Sequence, residues 1–321
     1  MVELYSIHRR EIVDSIKTAS STSKITGKSF IYHWIDCIYC IIRFGCGPSQ
    51  YLEGGFYKLR SFDRDKTYTK KRIDRIRKIY NNKDFERILS NKVEFNNLFS
   101  KYLKRRWIYC KNATAEDIKC FFDSVDDIIV KPNSMSKGRG IYILDKRLSD
   151  IASFAGKDVL LEECLTNHPQ MCFNNRSLNT LRINTILDSH NNVNIIKICL
   201  RCGVGDSVVD NFCAGGVVYP VNKEYGRIEG PGCHSVLGQE CFVHPGSDIF
   251  MLGSEIPFWT DVIATVKEAA SLLPQVRFIG WDVAITDRGP AIIEGNQRPG
   301  AQLIEYQGTE KGLYRKMLSY R

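Results

Sequence analysis

No apolar run in this chain is long enough to cross a bilayer. The most hydrophobic stretch, Phe30 to Phe44, is shorter than the roughly 20 residues a membrane helix needs. It also carries His33, Asp36 and Arg43, so it reads as a buried or surface-lying helix. Low-complexity tracts, collagen-like periodicity and internal repeats are lacking, which excludes fibrous, repeat-built and disordered classes. A secretory signal is lacking too, because Met1 opens onto a charged, mixed stretch through Glu11. The expected location is therefore cytoplasmic. Two Cys-x-x-Cys pairs, Cys37/Cys40 and Cys199/Cys202, lie far apart, and no His pair sits near either. They read as reduced structural thiols rather than a zinc site or disulfides. Gly27-Lys28-Ser29 ends like a phosphate-binding P-loop, but Thr22 stands where the upstream glycine belongs. The strand–loop–helix context is missing as well, so it is set aside. Finally, no nucleic-acid-binding motif accompanies the basic charge, which argues against a specific nucleic-acid partner.

What is present is ordinary globular composition: 321 residues, 43% apolar and 25% charged. That allows one or two domains with a sizeable core. The net charge of +9 is uneven: Lys58 to Arg106 holds 17 Lys and Arg against 6 Asp and Glu, and the remainder sums to −2. This basic region reads either as a solvated helical face or as a surface for an anionic ligand such as a polyphosphate, an anionic glycan or a membrane headgroup.

Residues 1–106 read as a mostly helical, basic region. Phe85, Ile88, Leu89, Val93, Phe95, Leu98, Phe99 and Tyr102 recur at helical spacing. From Trp107 the texture changes to short apolar runs divided by Gly, Pro, Asn and Asp. Strands are expected at 127–131, 140–144, 158–162, 179–187, 193–202, 214–219, 277–286 and 290–295. Helices are expected at 114–124, with Thr114 as N-cap and Asp117 in the first turn, and at 257–273. Short helices mixed with mostly antiparallel strands predict an α+β fold.

Four constellations carry chemistry. In the first, Ile128-Ile129-Val130-Lys131-Pro132 leads into Asn133-Ser134-Met135-Ser136-Lys137-Gly138-Arg139-Gly140. A lysine leaving a strand beside a Ser/Gly-rich loop suits phosphate, because glycines let backbone N–H groups approach oxygens; the bland alternative is a hairpin with a basic tip. The second is the hairpin Phe278 to Asn296. If its loop is the three residues Asp287 to Gly289, Thr286 pairs with Pro290 and Asp282 falls opposite Glu294. Cross-strand neighbours lie about 5 Å apart, and Asn296 shares the face of Glu294. Two carboxylates and an amide oxygen would then converge on strands otherwise apolar and buried, a donor set suited to Mg2+. In the third, alternation puts Thr180, Arg182 and Asn184 on one face of a strand; Arg182 could clamp a phosphate or form a structural salt bridge. The fourth, Val159 to Leu165, is a strand ending in Glu162-Glu163 whose backbone could present to a base.

Taken in this order, these pieces resemble the ATP-grasp superfamily. Glu162-Glu163, Ser177 to Arg182, and Gly280-Trp281-Asp282 with Ile293 to Gly300 resemble more closely the sugar-transfer-associated ATP-grasp family, which occurs with polysaccharide and cell-envelope biosynthesis. Ile42 to Gly45 and Phe56 to Leu59 extend the likeness upstream. The resemblance implies two α+β lobes holding ATP between them. The ATP-grasp domain would cover 107–321, with a smaller lobe near 107–162 and a larger one near 165–321. Lys131 and Lys92 would meet the phosphates. Residues 134–140, including Ser136, Lys137, Gly138 and Gly140, would close over them. Glu162 with the backbone of Glu163, Cys164 and Leu165 would hold adenine. Asp282, Glu294 and Asn296 would bind two Mg2+, Arg182 would stabilise the transferring phosphoryl group, and Arg298 would take the acceptor's anionic group. The acid that many such enzymes place after the hinge for ribose is replaced by Thr166 to Gln170, with His168 as a weak substitute. The implied activity is an ATP- and Mg2+-dependent carboxylate–amine ligase acting on a small molecule or glycan precursor. The alternatives are a kinase and a nucleotide-binding module without catalysis.

Overall fold

The computed structural model describes residues 4–134, 140–146, 150–173, 177–204, 216–234, 240–300 and 312–321. The chain opens with α1 (Arg9–Thr26) and α2 (Phe30–Phe44), which fold back on each other through a turn at Gly27. Gly27 has φ +72°, the left-handed region that favours glycine after a helix. With α3 (Pro48–Glu53) they enclose a core of Cys37, Cys40, Ile41, Phe44, Cys46, Tyr51 and Phe56. Asp36 of α2 points inward and accepts a bidentate pair from Arg64 at 2.6 and 2.8 Å. The expected helix at 30–44 is thus a surface-lying one. Next come α4 (Ser61–Lys66), α5 (Lys70–Tyr80), α6 (Arg87–Ser90) and α7 (Lys92–Leu98).

The remaining elements form two antiparallel sheets. The smaller has the order β1 (Trp107–Tyr109), β4 (Val159–Glu163), β2 (Ile128–Pro132), β3 (Tyr142–Leu144). Ile118, Phe121 and Phe122 of α8 (Ala115–Ser124) pack on it. Thr114 caps α8 as expected, and Asp117 of its first turn makes the cap reciprocal: Asp117 N donates to Thr114 Oγ1 at 3.1 Å and Thr114 N to Asp117 Oδ2 at 2.9 Å.

The larger sheet has the order β11 (Gly289–Asn296), β10 (Phe278–Thr286), β5 (Thr180–Leu187), β6 (Val193–Cys202), β7 (Val217–Pro220), β8 (Gly232–His234), β9 (Glu240–Cys241). Alternation divides its faces. Leu181, Ile183, Ile279, Trp281 and Val283 join the main core with α9 (Trp259–Ser271) and with Leu89, Phe95 and Phe99. On the other face Ile186 and Phe278 pack with Tyr68, Ile73 and Ile76, and with Leu313 and Met317 of α10 (Leu313–Leu318). Arg182 and Asp282 lie further along this second face. Residues 68–103 therefore contribute to both faces of the large sheet, and the expected division at 106/107 does not fall at a packing boundary. The short strands β1, β8 and β9 were not anticipated.

Candidate functional site

The β10–β11 hairpin sets the site. Its turn holds two residues, Asp287 and Arg288, not the three expected, because Thr286 pairs with Gly289. Thr286 Oγ1 donates to the Gly289 carbonyl at 2.9 Å and accepts from Arg288 N at 3.1 Å, which closes the tighter loop. That alone would displace the register by one residue. A bulge compensates: Val283 faces Ile292 while Asp282 faces Glu294, so Ile293 is the extra residue. The pairing expected at Asp282 is thus reached by a different route. Arg105, buried behind the bulge, donates to the carbonyls of Ile292 at 2.8 Å and Ile293 at 3.3 Å.

The hairpin brings Asp282, Glu294 and Asn296 together. Asn296 Nδ2 lies 3.1 Å from Glu294 Oε1 and 3.5 Å from Asp282 Oδ2. Arg182, opposite Asp282 on β5, pairs with it at 2.5 Å (Nε–Oδ1) and 3.0 Å (Nη2–Oδ2). Arg201 of β6 reaches the same carboxylate at 3.2 Å. Burial pushes Asp282 up, but the two guanidinium groups outweigh it and hold its pKa at about 2. Glu294 is exposed to solvent. Desolvation where its carboxyl meets the sheet, and then the Asp282 charge, raise its pKa.

A second cluster lies at the end of the smaller sheet. Glu162, 1% exposed, accepts from Lys131 Nζ at 2.7 Å, Arg105 Nε at 2.7 Å and Asn96 Nδ2 at 2.9 Å. Burial opposes its ionisation, but Arg105 and Lys131 hold it well below the ordinary carboxylate range. Lys92 stands between the clusters. Asn91 caps α7, accepting from Val93 N at 3.0 Å and Glu94 N at 3.1 Å, and so interrupts the helical pattern expected over 85–102. Lys92 Nζ donates to the Pro132 carbonyl at 2.8 Å. Burial lowers its pKa, partly offset by attraction to Glu294 and Glu162.

The other expected residues fall as follows. Ser136, Lys137 and Gly138 lie outside the described residues; Gly140 has φ +70°, a conformation that suits glycine. The Glu162 side chain points at Lys131 rather than toward a base. The N–H groups of Glu163 and Cys164 already donate to Arg106 and Asp127 carbonyls, both at 2.9 Å. A base would have to be read by the remaining backbone through Leu165. The Glu163 carboxylate accepts from Arg106 N at 2.9 Å and Arg288 Nη2 at 3.0 Å, tying hinge to hairpin turn. His168 caps a short turn, accepting from Gln170 N at 3.3 Å, and packs edge-on against Phe258. Arg298 is half-exposed and pairs with Asp74 of α5 at 2.7 Å. Asn184 is fully buried, and its side-chain amide has no hydrogen-bond partner among the described residues. A Cβ on Gly280 would come within 3.0 Å of that amide oxygen and 2.7 Å of Pro299 Cβ, so only glycine fits there.

Sequence reasoning missed Arg105, Asn96, Arg201 and Asp74. Only Arg201 carried a signal, since alternation along β6 puts it on the face of Cys199, opposite Arg182. No group of three or more His, Cys, Asp or Glu is placed to hold a metal among the described residues. Two acids and one amide are instead a sparse set, all-oxygen once Asn296 turns its amide oxygen rather than Nδ2 toward the acids. It fits a magnesium ion, which completes its shell with substrate phosphates and water.

A model of the sugar-transfer associated ATP-grasp family matches residues 148–317. No curated protein matches. Among solved structures, the chain is similar to the ATP-grasp ligase PsnB complexed with minimal precursor, at 16% identity and TM-score 0.48, covering 75% of this chain and 64% of that one. It is also similar to D-alanyl-alanine synthetase A from Vibrio cholerae, at 12% identity and TM-score 0.46, covering 74% and 66%. Biotin carboxylase from Campylobacter jejuni gives 12% identity and TM-score 0.46, covering 74% and 46%. The chain spans less than two thirds of the length of these structures. The family match takes in more than half of the chain, and the chain belongs to the sugar-transfer associated ATP-grasp family.

Proposed function

We propose that this chain is an ATP- and Mg2+-dependent ligase that joins a carboxylate to an amine or another nucleophile, acting on a glycan precursor or cell-envelope metabolite. The observation that carries the reading is the meeting of Asp282, Glu294 and Asn296 within hydrogen-bond reach, with Lys92 between them and the Lys131 strand. An acidic cluster on one sheet and a basic one on the other thus lie on either side of Lys92, and a triphosphate with its cations needs both kinds of group.

In this reading Lys131 and Lys92 bind the phosphates as point charges. Glu162 and Arg105 fix the position of Lys131. The remaining backbone at Glu163 to Leu165 reads the base, and residues 134–140 cover the triphosphate and keep water out. Asp282, Glu294 and Asn296 would hold one or two Mg2+, which supply charge neutralisation between the phosphates. Arg182 and Arg201 orient Asp282, and Arg182 also faces the transferring group. Arg298 turns from Asp74 to the acceptor's anionic group. The acceptor carboxylate attacks the γ-phosphorus, the bond to ADP breaks, and an acyl phosphate forms. The amine then attacks the acyl carbon, phosphate leaves, and the amine's proton is released.

The test is an ADP-release screen of carboxylates and amines, with mass spectrometry on each hit. A ligase releases ADP and free phosphate only when both substrates are present, and yields an amide. ADP formation with a phosphorylated product and no free phosphate would make the chain a kinase. ATP binding without turnover for any pair would contradict both.

A further inference from the structure

The outward face of α2 is apolar along its whole length. Ile31, Ile35 and Tyr39 repeat every fourth residue and are 62%, 60% and 48% exposed. Tyr32 is exposed beside them, and Ile38 and Ile42 are half-buried at the margin. Every polar residue of the helix is turned away from this face. His33 is buried against Tyr51 and Thr26, Asp36 is held by Arg64, and Arg43 lies 3.5 Å from Asp65. A continuous exposed apolar face marks a contact surface.

The exposed charges of α1 and the connecting turn are mainly basic. Arg9, Lys17 and Lys24 of α1 and Lys28 of the connecting turn are exposed, and none pairs with a carboxylate among the described residues. Lys28 Nζ sits 5.0 Å over the Tyr32 ring, a cation at the edge of the apolar strip. The two acids of α1 are occupied: Glu11 by Lys71 at 2.9 Å and Asp14 by Arg10 at 3.8 Å. Val13, Ile16 and Ile25 add exposed apolar side chains among those lysines.

We propose that the α1–α2 pair is a docking surface for an anionic membrane, with α2 lying in the plane of the interface. Apolar side chains beside unneutralised lysines match the acyl boundary and the headgroup layer of such a surface. No described helix is long and apolar enough to cross a membrane, so the mode is surface contact rather than insertion. A second copy of the chain fits less well. A two-fold contact is self-complementary and would gather Lys17, Lys24 and Lys28 from both copies against Asp14, the one half-exposed acid of α1. Docking here would hold the proposed ligase site at a lipid surface, where lipid-linked glycan precursors are found.

The experiment is flotation of the full chain with phosphatidylcholine vesicles and with vesicles of the same lipid doped with phosphatidylglycerol. The double variant Ile31→Glu/Ile35→Glu and the charge variant Lys24→Glu/Lys28→Glu are compared with it. Both change exposed residues, and thermal melts verify that they fold. The chain should float with the doped vesicles and far less with phosphatidylcholine alone, and raised salt should weaken binding. Each variant should lower vesicle binding by about tenfold or more. Binding to doped vesicles that neither variant changes would overturn the proposal, as would no binding to either vesicle. A concentration-dependent dimer that Ile31→Glu/Ile35→Glu abolishes, without vesicle binding, would assign the face to a second copy.

Discussion

Glu162 on an inner strand of the four-stranded sheet and Asp282 within the seven-stranded one are both buried carboxylates held by two cations. Their surroundings differ in what they leave over. Around Glu162 the lone pairs go to Arg105, Lys131 and Asn96, and the cluster keeps an excess of positive charge beside Lys92. Around Asp282 two arginines also outnumber one acid, but a second acid, Glu294, stands next to it on the solvent side with its ionisation opposed. The first cluster is complete within the protein and serves to place a lysine. The second contains an acid, Glu294, whose ionisation is opposed by desolvation and by the neighbouring Asp282 charge. Burial by itself does not distinguish the two clusters; the neighbouring charges do.

The largest expected effect separates those two roles. Glu294→Gln should lower Mg2+-dependent ATP turnover by about a hundredfold or more, while stability changes by only about 0.5 kcal/mol. Normal turnover in that variant would remove Glu294 from the site. Glu162→Gln and Asp282→Asn should each destabilise the fold by about 3–5 kcal/mol, because each leaves buried cations uncompensated. Urea unfolding curves coincident with that of the unmodified chain would break the comparison. Lys131→Ala should weaken ATP binding by about tenfold, measured by calorimetry without an acceptor; unchanged affinity would exclude that lysine. The smallest effect is the pH dependence. The folded pKa values of Glu162 and Asp282 lie below their unfolded ones, so acid unfolding takes up protons. Their contribution to stability is full above the unfolded carboxylate range near pH ~4 and is lost as pH falls through the folded values, about 2 for Asp282. A urea midpoint that does not move over this acid window would contradict both shifts.

Much of the α+β fold was legible in the chain because its elements are local. The strands around Arg182 and Asp282 alternate cleanly or are wholly apolar, and Thr114 with Asp117 announces a helix start. What escaped depends on contacts distant in sequence. Arg105 sits in the run Lys104-Arg105-Arg106, which reads as a solvated patch; only the folded chain shows that its middle member crosses to Ile292 and Ile293. Asn91 looked like one more polar position in a helix, yet it caps a new one and so points Lys92 at the Pro132 carbonyl. At the hairpin two errors cancelled, since a loop one residue shorter and a bulge at Ile293 return Asp282 to Glu294. Turn length and bulges follow from local hydrogen bonds, here those of Thr286 and Arg105, that strand periodicity does not encode.

Crystals grown with a non-hydrolysable ATP analogue and Mn2+ in place of Mg2+ give the most direct test, because manganese is located by its anomalous scattering. The expected result is a peak about 2.0–2.3 Å from oxygens of Asp282, Glu294 and Asn296, bridged to the nucleotide's phosphates. A nucleotide bound with its metal ligated by other residues, and these three side chains still paired only with one another and with Arg182 and Arg201, would contradict the assignment.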